Sequence, residues 1–265
     1  MSGGAARILE LHEQGLTSVP ESVGGMVGLE ELSLWRNRLR ALPDFVWDLT
    51  SLRVLNVSEN ELSSLSEKIA RLTRLELLDV GHNELTSLPE AIGRLPLRTF
   101  LYASHNRLTS VPDSIGELRE LGYLNVTDNG LTALPDGIGR MERLTELRLY
   151  GNRLTGLPES IGRLSALKEL HLSNNVLAWL PDSIGRLGRL VHLDLRHNRL
   201  ASLPDSLGDL KKLRHLDLRS NRLTSVPGAI RGLDGLEKLD LRWNRVGPLP
   251  DWLRRREQDG CTVYF

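Results

Sequence analysis

LTELRLYGNRLTGLPESIGRLSA, residues 144–166, decides the fold, because most of the remaining chain repeats it. Its asparagine, Asn152, belongs to a series that runs Asn37, Asn60, Asn83, Asn106, Asn129, Asn152, Asn175, Asn198, Asn221 and Asn244, each 23 residues from the last without a slip. A fixed period of this length marks a chain of stacked repeats. In the parent copy Leu144, Leu147, Leu149, Leu154, Leu157, Ile161 and Leu164 hold the apolar places, with Pro158 directly after Leu157. Alternation through LxLxx sends the middle leucines into a core and their neighbours onto an open face. Each Asn carries amide donors and a carbonyl acceptor, enough to satisfy turn backbone of its own and the adjoining coil, so the series predicts a buried polar ladder. A single unit buries too little apolar surface to offset the ordering of its backbone, and the units must therefore stack.

The pattern LxxLxLxxN followed by LPxSIGxLxxL resembles the leucine-rich repeat family, in particular its intracellular 23-residue type found in Ras-associated, plant and bacterial cytoplasmic members. The resemblance covers nearly the whole chain. It implies an α/β leucine-rich-repeat solenoid of about eleven coils, a curved horseshoe with a parallel β-sheet on its concave face and short 3₁₀, helical or extended turns on its convex side. It implies a scaffold for protein or peptide partners without selecting one.

The chain is expected to be a single domain, 1–265. Residues 1–28 are an irregular capping coil in which Ala6 and Gln14 replace the usual Leu and Asn, and Met1–Ala5 are Gly/Ser-rich and loose. Residues 29–250 are regular, with Ser66 in the Pro slot of its repeat and one disturbed frame at Leu95-Pro96-Leu97-Arg98, where a local backbone deviation is predicted. Each return segment has a proline fixing φ and a polar residue able to cap a short turn, as in Pro112-Asp113-Ser114. Residues 251–265 begin as another return segment with Trp252 and Leu253, pass through Arg254, Arg255 and Arg256, read as a solvated face, and end in CTVYF, a covering strand.

The 34 basic and 34 acidic side chains cancel, so no global field selects nucleic acid or an anionic membrane. No apolar run reaches the 18 or so residues of a membrane span, and the opening residues do not read as a secretory signal. Cys261 is the single cysteine, which excludes an internal disulfide and favours a reducing cytoplasm. Lysine is confined to Lys68, Lys168, Lys211, Lys212 and Lys238, an arginine bias that points to a bacterial source. The expectation is a cytoplasmic monomer without a cofactor.

Function falls to the open strand face, because the other positions form the core. Val54, Leu77, Phe100 and Tyr123 follow one another in one column of that face, with Tyr102 and Tyr150 beside them. Aromatic residues are 5% of the sequence yet gather here, which favours a partner site over simple packing across strands. Arg148, Arg196 and Arg219 are placed to orient acidic groups of the partner, and Trp35 and Trp243 complete the candidate binding set.

A second zone is charged and holds Glu146, Glu169, His171, His192, Asp194, His215 and Asp217. All seven histidines, His12, His82, His105, His171, His192, His197 and His215, fall on this face, and His82, His105 and Asp128 form a smaller trio. Imidazoles and carboxylates at adjacent and alternate positions suit a divalent transition metal, held most simply by His192, His215, Asp194 and either His171 or Asp217. The alternative function is therefore a metal-dependent enzyme acting on a peptide in the groove, with that cluster as its catalytic centre. Against it, Asp194, Asp217 and Asp240 recur in DLR units with Arg196, Arg219 and Arg242, the pattern of a solvated charge lattice. The sequence has no phosphate-cradling glycine loop, paired zinc-ligand motif or serine elbow. The leading expectation is a non-catalytic scaffold that binds a protein or peptide.

Overall fold

The computed structural model describes residues 7–265. Met1–Ala5 and Ala6 lie outside the described residues. The chain divides into two compact units, through Gly130 and from Leu131, and each has the same internal plan.

The first unit holds β1 (Ile8–Glu10), β2 (Glu31–Ser33), β3 (Val54–Asn56), β4 (Leu77–Asp79), β5 (Phe100–Tyr102) and β6 (Tyr123–Asn125). Each pairs in parallel with the next, in a register that matches residues one repeat apart, as Asn56↔Asp79 and Asp79↔Tyr102 do. The second unit holds β7 (Glu146–Arg148), β8 (Glu169–His171), β9 (His192–Asp194), β10 (His215–Asp217), β11 (Lys238–Asp240) and β12 (Thr262–Tyr264), paired in the same way. Three residues per strand is what LxL allows: the central Leu points inward and its two neighbours outward. Leu32, Leu78 and Leu101 in the first unit and Leu147, Leu170 and Leu193 in the second are fully buried.

The return segments are five-residue 3₁₀ turns, such as Glu90–Arg94 and Asp113–Glu117 in the first unit and Glu159–Arg163 and Asp182–Arg186 in the second. Proline occupies the position before each of these four, where its fixed φ is compatible and its missing N–H is not needed. Proline before the turn has no side chain to offer as a cap, and at two of these turns the cap comes from the preceding coil: Glu67 accepts from Glu90 N at 3.0 Å and Ala91 N at 2.9 Å, and Glu159 from Ser183 N at 3.3 Å. Ser66, standing in the proline slot, does cap: its hydroxyl accepts from the Lys68 N–H at 3.2 Å. The disturbed frame also appears. Leu95, which closes its turn, has ψ 140°, whereas Leu118 at the equivalent place has ψ 57°; Leu97 then fills the first core slot and Arg98 points to solvent.

The asparagine ladder is formed. Asn60 donates to Leu34 O at 2.9 Å and Val57 O at 3.1 Å and accepts from Leu39 N at 3.0 Å. Asn175 repeats this in the second unit, donating to Leu149 O and Leu172 O and accepting from Leu154 N. The tail begins with α1 (Asp251–Gln258), which buries Leu253, and continues into β12, so the CTVYF stretch does cover β11.

Candidate functional site

In the first unit the register sets Val54, Leu77, Phe100 and Tyr123 in one row, each half-buried. The Tyr102 ring lies 4.6 Å from that of Phe100 and 5.0 Å from that of Tyr123, which makes one aromatic cluster with its outer surface open. Mutual packing across strands and an open outer surface thus coexist. Trp35 stands apart, with its ring 5.9 Å from His12 and the Arg36 guanidinium 5.8 Å above it. The His82 and His105 rings stack at 4.0 Å, and His105 Nε2 lies 3.3 Å from Asp128.

The strand face of the second unit is charged and largely self-neutralised. Arg148 donates to Glu146, Arg196 Nε lies 3.1 Å from Asp194, and Arg219 grips both oxygens of Asp217 and also lies 3.4 Å from Asp240. The three arginines expected to orient acidic groups of a partner are therefore engaged within the fold, and a partner carboxylate has to compete with them. Tyr150 is half-buried two residues after the end of β7, whereas Trp243 is 66% exposed beneath the Arg242 guanidinium.

The residues expected to hold a metal do not all converge. His171, His192 and His215 form a row of rings 5.1 Å and 5.7 Å apart, but Asp194 is buried and held by Arg196, and Asp217 by Arg219. Burial, with the charges of His171 and His215, pushes the His192 imidazole below its ordinary range against Asp194 and Glu169. Ligand atoms come together instead at Glu146, Glu169 and His171, within 4.8 Å of one another, with His171 Nε2 3.2 Å from Glu169. His192, His215, Asp217, Lys238 and Asp240 line a shallow cleft of about 290 Å³.

Two features escape a reading by columns. The residue before the repeat asparagine adopts φ between 50° and 58° in His82, His105, Asp128, Asn174, His197 and Trp243, among others, and Gly151 holds φ 67° there. Asn, Asp, His and Gly are the residues that tolerate this left-handed region best, so the place of His82, His105 and His197 has a conformational explanation. The composition of that column was the available signal. The other feature is a cavity of about 760 Å³ near α1, lined by Lys211, Arg214, Glu237, Arg256 and Cys261, whose charges are paired locally through Lys211 with Asp234 and Arg214 with Glu237.

Models of the leucine rich repeat match residues 27–85, 142–200 and 188–246, and a model of a leucine-rich repeat region matches 63–155. The chain belongs to the leucine-rich repeat family. Its fold is a leucine-rich repeat solenoid with parallel strands and 3₁₀ turns. It is similar to the solved structure of a leucine-rich repeat protein from Leptospira interrogans, at 33% identity over 98% of this chain and 72% of that one, with a TM-score of 0.78. It is also similar to YopM, a leucine-rich effector protein from Yersinia pestis, at 30% identity over 90% of this chain and 61% of that one, with a TM-score of 0.73. The Arabidopsis receptor kinase HAESA, solved in complex with the peptide hormone IDA and the co-receptor SERK1, matches at 28% identity over 96% of this chain and 45% of that one, with a TM-score of 0.79. The chain spans less than two thirds of the length of the latter two. No curated protein matches in the sequence comparison. Leucine-rich repeat scaffolds are typically protein-interaction domains, and among the described residues no helix is long and apolar enough to cross a membrane.

Proposed function

We propose that this leucine-rich repeat chain is a non-catalytic scaffold that docks a polypeptide on the strand face of its first unit. The observation that carries this reading is the half-open cluster of Phe100, Tyr102 and Tyr123 continued by Val54 and Leu77. Aromatic side chains supply large rigid contact area at little entropic cost, and they dominate binding energy where they anchor. The peptide hormone bound to HAESA is support from a relative for the same kind of partner. In this reading the docking face is the one expected to be concave, and the chain works as a monomer of the intracellular repeat type in a bacterial cytoplasm, which the single cysteine of these residues fits. The test is peptide display panned on the intact protein, followed by calorimetric titration of the selected peptides. Phe100→Ala with Tyr123→Ala weakens their binding by more than about 2 kcal/mol while the melting curve persists. Unchanged affinity removes these residues as anchors.

A second reading has its own observation, the convergence of Glu146, Glu169 and His171. A divalent transition metal held there gives the second unit a polar centre able to act on a bound peptide. Elemental analysis of protein purified without an affinity tag or chelator, compared with His171→Ala, decides it: about one equivalent of zinc, manganese, iron or cobalt that disappears in the variant supports this reading.

A further inference from the structure

Four strands end in aspartate: β4 at Asp79, β9 at Asp194, β10 at Asp217 and β11 at Asp240. In all four the carboxylate accepts the backbone N–H two residues on, from Gly81 at 2.9 Å, Arg196 at 3.2 Å, Arg219 at 3.1 Å and Arg242 at 3.2 Å. In three of them the same residue also supplies a guanidinium, at 3.1 Å to Asp194, 2.5 Å to Asp217 and 2.6 Å to Asp240. Gly81 has none to offer. Among the described residues Asp79 has no ion-pair partner, although it is half-buried like Asp217.

The surroundings of Asp79 do not make good the missing cation. Burial raises the Asp79 carboxyl above its ordinary range; the Gly81 N–H and the nearby His82 oppose this, and Glu59 adds to it. Burial acts in the same direction on Asp240, but Arg242, through its side chain, its backbone and its charge, and the Arg219 charge outweigh it and leave that carboxyl below its ordinary range. On either side in the register stand Asn56 and Tyr102, and Tyr102 belongs to the aromatic cluster. A carboxylate without a cation, one strand away from a tyrosine in the register, is complementary to a planar guanidinium, which pairs with two carboxylate oxygens and stacks on aromatic faces.

We propose that Asp79 receives an arginine side chain of the docked polypeptide, so that the partner supplies the guanidinium that Arg196, Arg219 and Arg242 supply within their own strands. This rests on the docking of a polypeptide at the aromatic cluster, and it names the chemistry of that partner. Arginine is preferred to lysine, because Arg219 on Asp217, with Nε on Oδ1 and the terminal nitrogen on Oδ2, shows the two-oxygen grip available to a guanidinium at this position of the repeat. The Gly81→Arg variant converts β4 to the pattern of β9, β10 and β11. A Cβ on Gly81 meets Asp79 Oδ1 at 3.2 Å and Ser104 Oγ at 3.3 Å, a crowding that small side-chain movements relieve.

The Gly81 amide, bonded to the Asp79 carboxylate, is the reporter in ¹⁵N-labelled full-length protein titrated with acetyl-arginine amide, acetyl-lysine amide and acetyl-citrulline amide. The expected result is a saturable shift of that amide with the arginine compound, a smaller one with lysine and none with citrulline. Asp79→Asn and Gly81→Arg abolish it; Asn56 and Asn125 already accept the same backbone bond, so the Asn variant keeps the fold. No shift with acetyl-arginine amide, or an equal shift with citrulline, overturns the proposal. Peptides selected by display separate this claim from docking itself. Those lost with Phe100→Ala and Tyr123→Ala should contain an arginine whose replacement by citrulline costs about tenfold in affinity in the wild type and nothing in Asp79→Asn. Peptides that need Phe100 but ignore Asp79 overturn the arginine assignment and leave docking standing. Absence of any peptide that needs Phe100 defeats docking and with it this partner, and the amide titration then reports only on the affinity of Asp79 for a free guanidinium.

Discussion

Asn129 shows how much a single repeat position carries. It donates to Ala103 O at 3.0 Å and Thr127 O at 3.0 Å and accepts from Leu108 N at 2.9 Å. Asn129→Leu fills the same space and satisfies none of them, so it should destabilise the first unit by about 1–3 kcal/mol for each buried group left unpaired; an unaltered denaturation curve contradicts the ladder. Asp79 behaves in the opposite sense. Its folded carboxyl titrates above its unfolded one, so the native state binds the extra proton and stability falls as pH rises from about 3.9 through the raised value. Asp79→Asn should therefore melt higher than wild type at pH 7, and the gain should vanish in acid below about pH 3.9; an equal gain at both pH values excludes the carboxylate charge as its cause. The groups facing Asp79 are His82 and Glu59, and the comparison is made with both intact. The asparagines were legible in the sequence because an unbroken period leaves them one role. The engagement of Arg196 and Arg219 was not, since a column of residue names does not say whether a guanidinium reaches out to a partner or back to the aspartate two residues earlier.

At the scale of elements, the short turns pack closer than ordinary side chains allow. A Cβ on Gly162 would stand 2.4 Å from Ser183 O and 2.7 Å from Ser183 Cβ, and a backbone carbonyl cannot rotate away. Gly162→Ala should cost roughly 1–3 kcal/mol or more through overpacking, whereas Gly188→Ala, whose nearest neighbour atom is 4.0 Å distant, should be close to neutral. Equal melting temperatures for the two variants refute close stacking of the turns. The sequence announced these elements well: LxL gives three-residue strands, proline opens each regular turn, and the one slipped leucine gives the one extended closing residue at Leu95. On capping it was silent only about which turn a polar residue caps: Glu67 and Glu159, each directly after the proline slot, accept from the first amides of the next coil's turn rather than of their own. The left-handed residue before each asparagine was visible only as a bias toward His, Asp, Asn and Gly, which a search for metal ligands reads as chemistry.

The two units share one plan and present different faces, aromatic in the first and ion-paired in the second, and this division was legible because strict register converts a column of sequence into a row of the surface. Side-chain pairing within the row decides which members remain available, and that pairing is set by rotamers and distances that a column of residue names does not carry. Stability follows the same one-dimensional logic, since each coil is held mainly by its neighbours. The last coil of the second unit therefore depends on what covers it. There α1 buries Leu253 completely, and β12 pairs along β11 and buries Val263. Removal of residues 251–265 leaves the β11 edge and its core leucines in water, and the lost burial of these two side chains alone amounts to roughly 3–6 kcal/mol. An open edge of this kind also templates pairing with other chains. The shortened protein should melt earlier by circular dichroism and elute as larger species in light-scattering chromatography. A monomer with the parent melting curve is the outcome that would refute α1 and β12 as the cover of that coil.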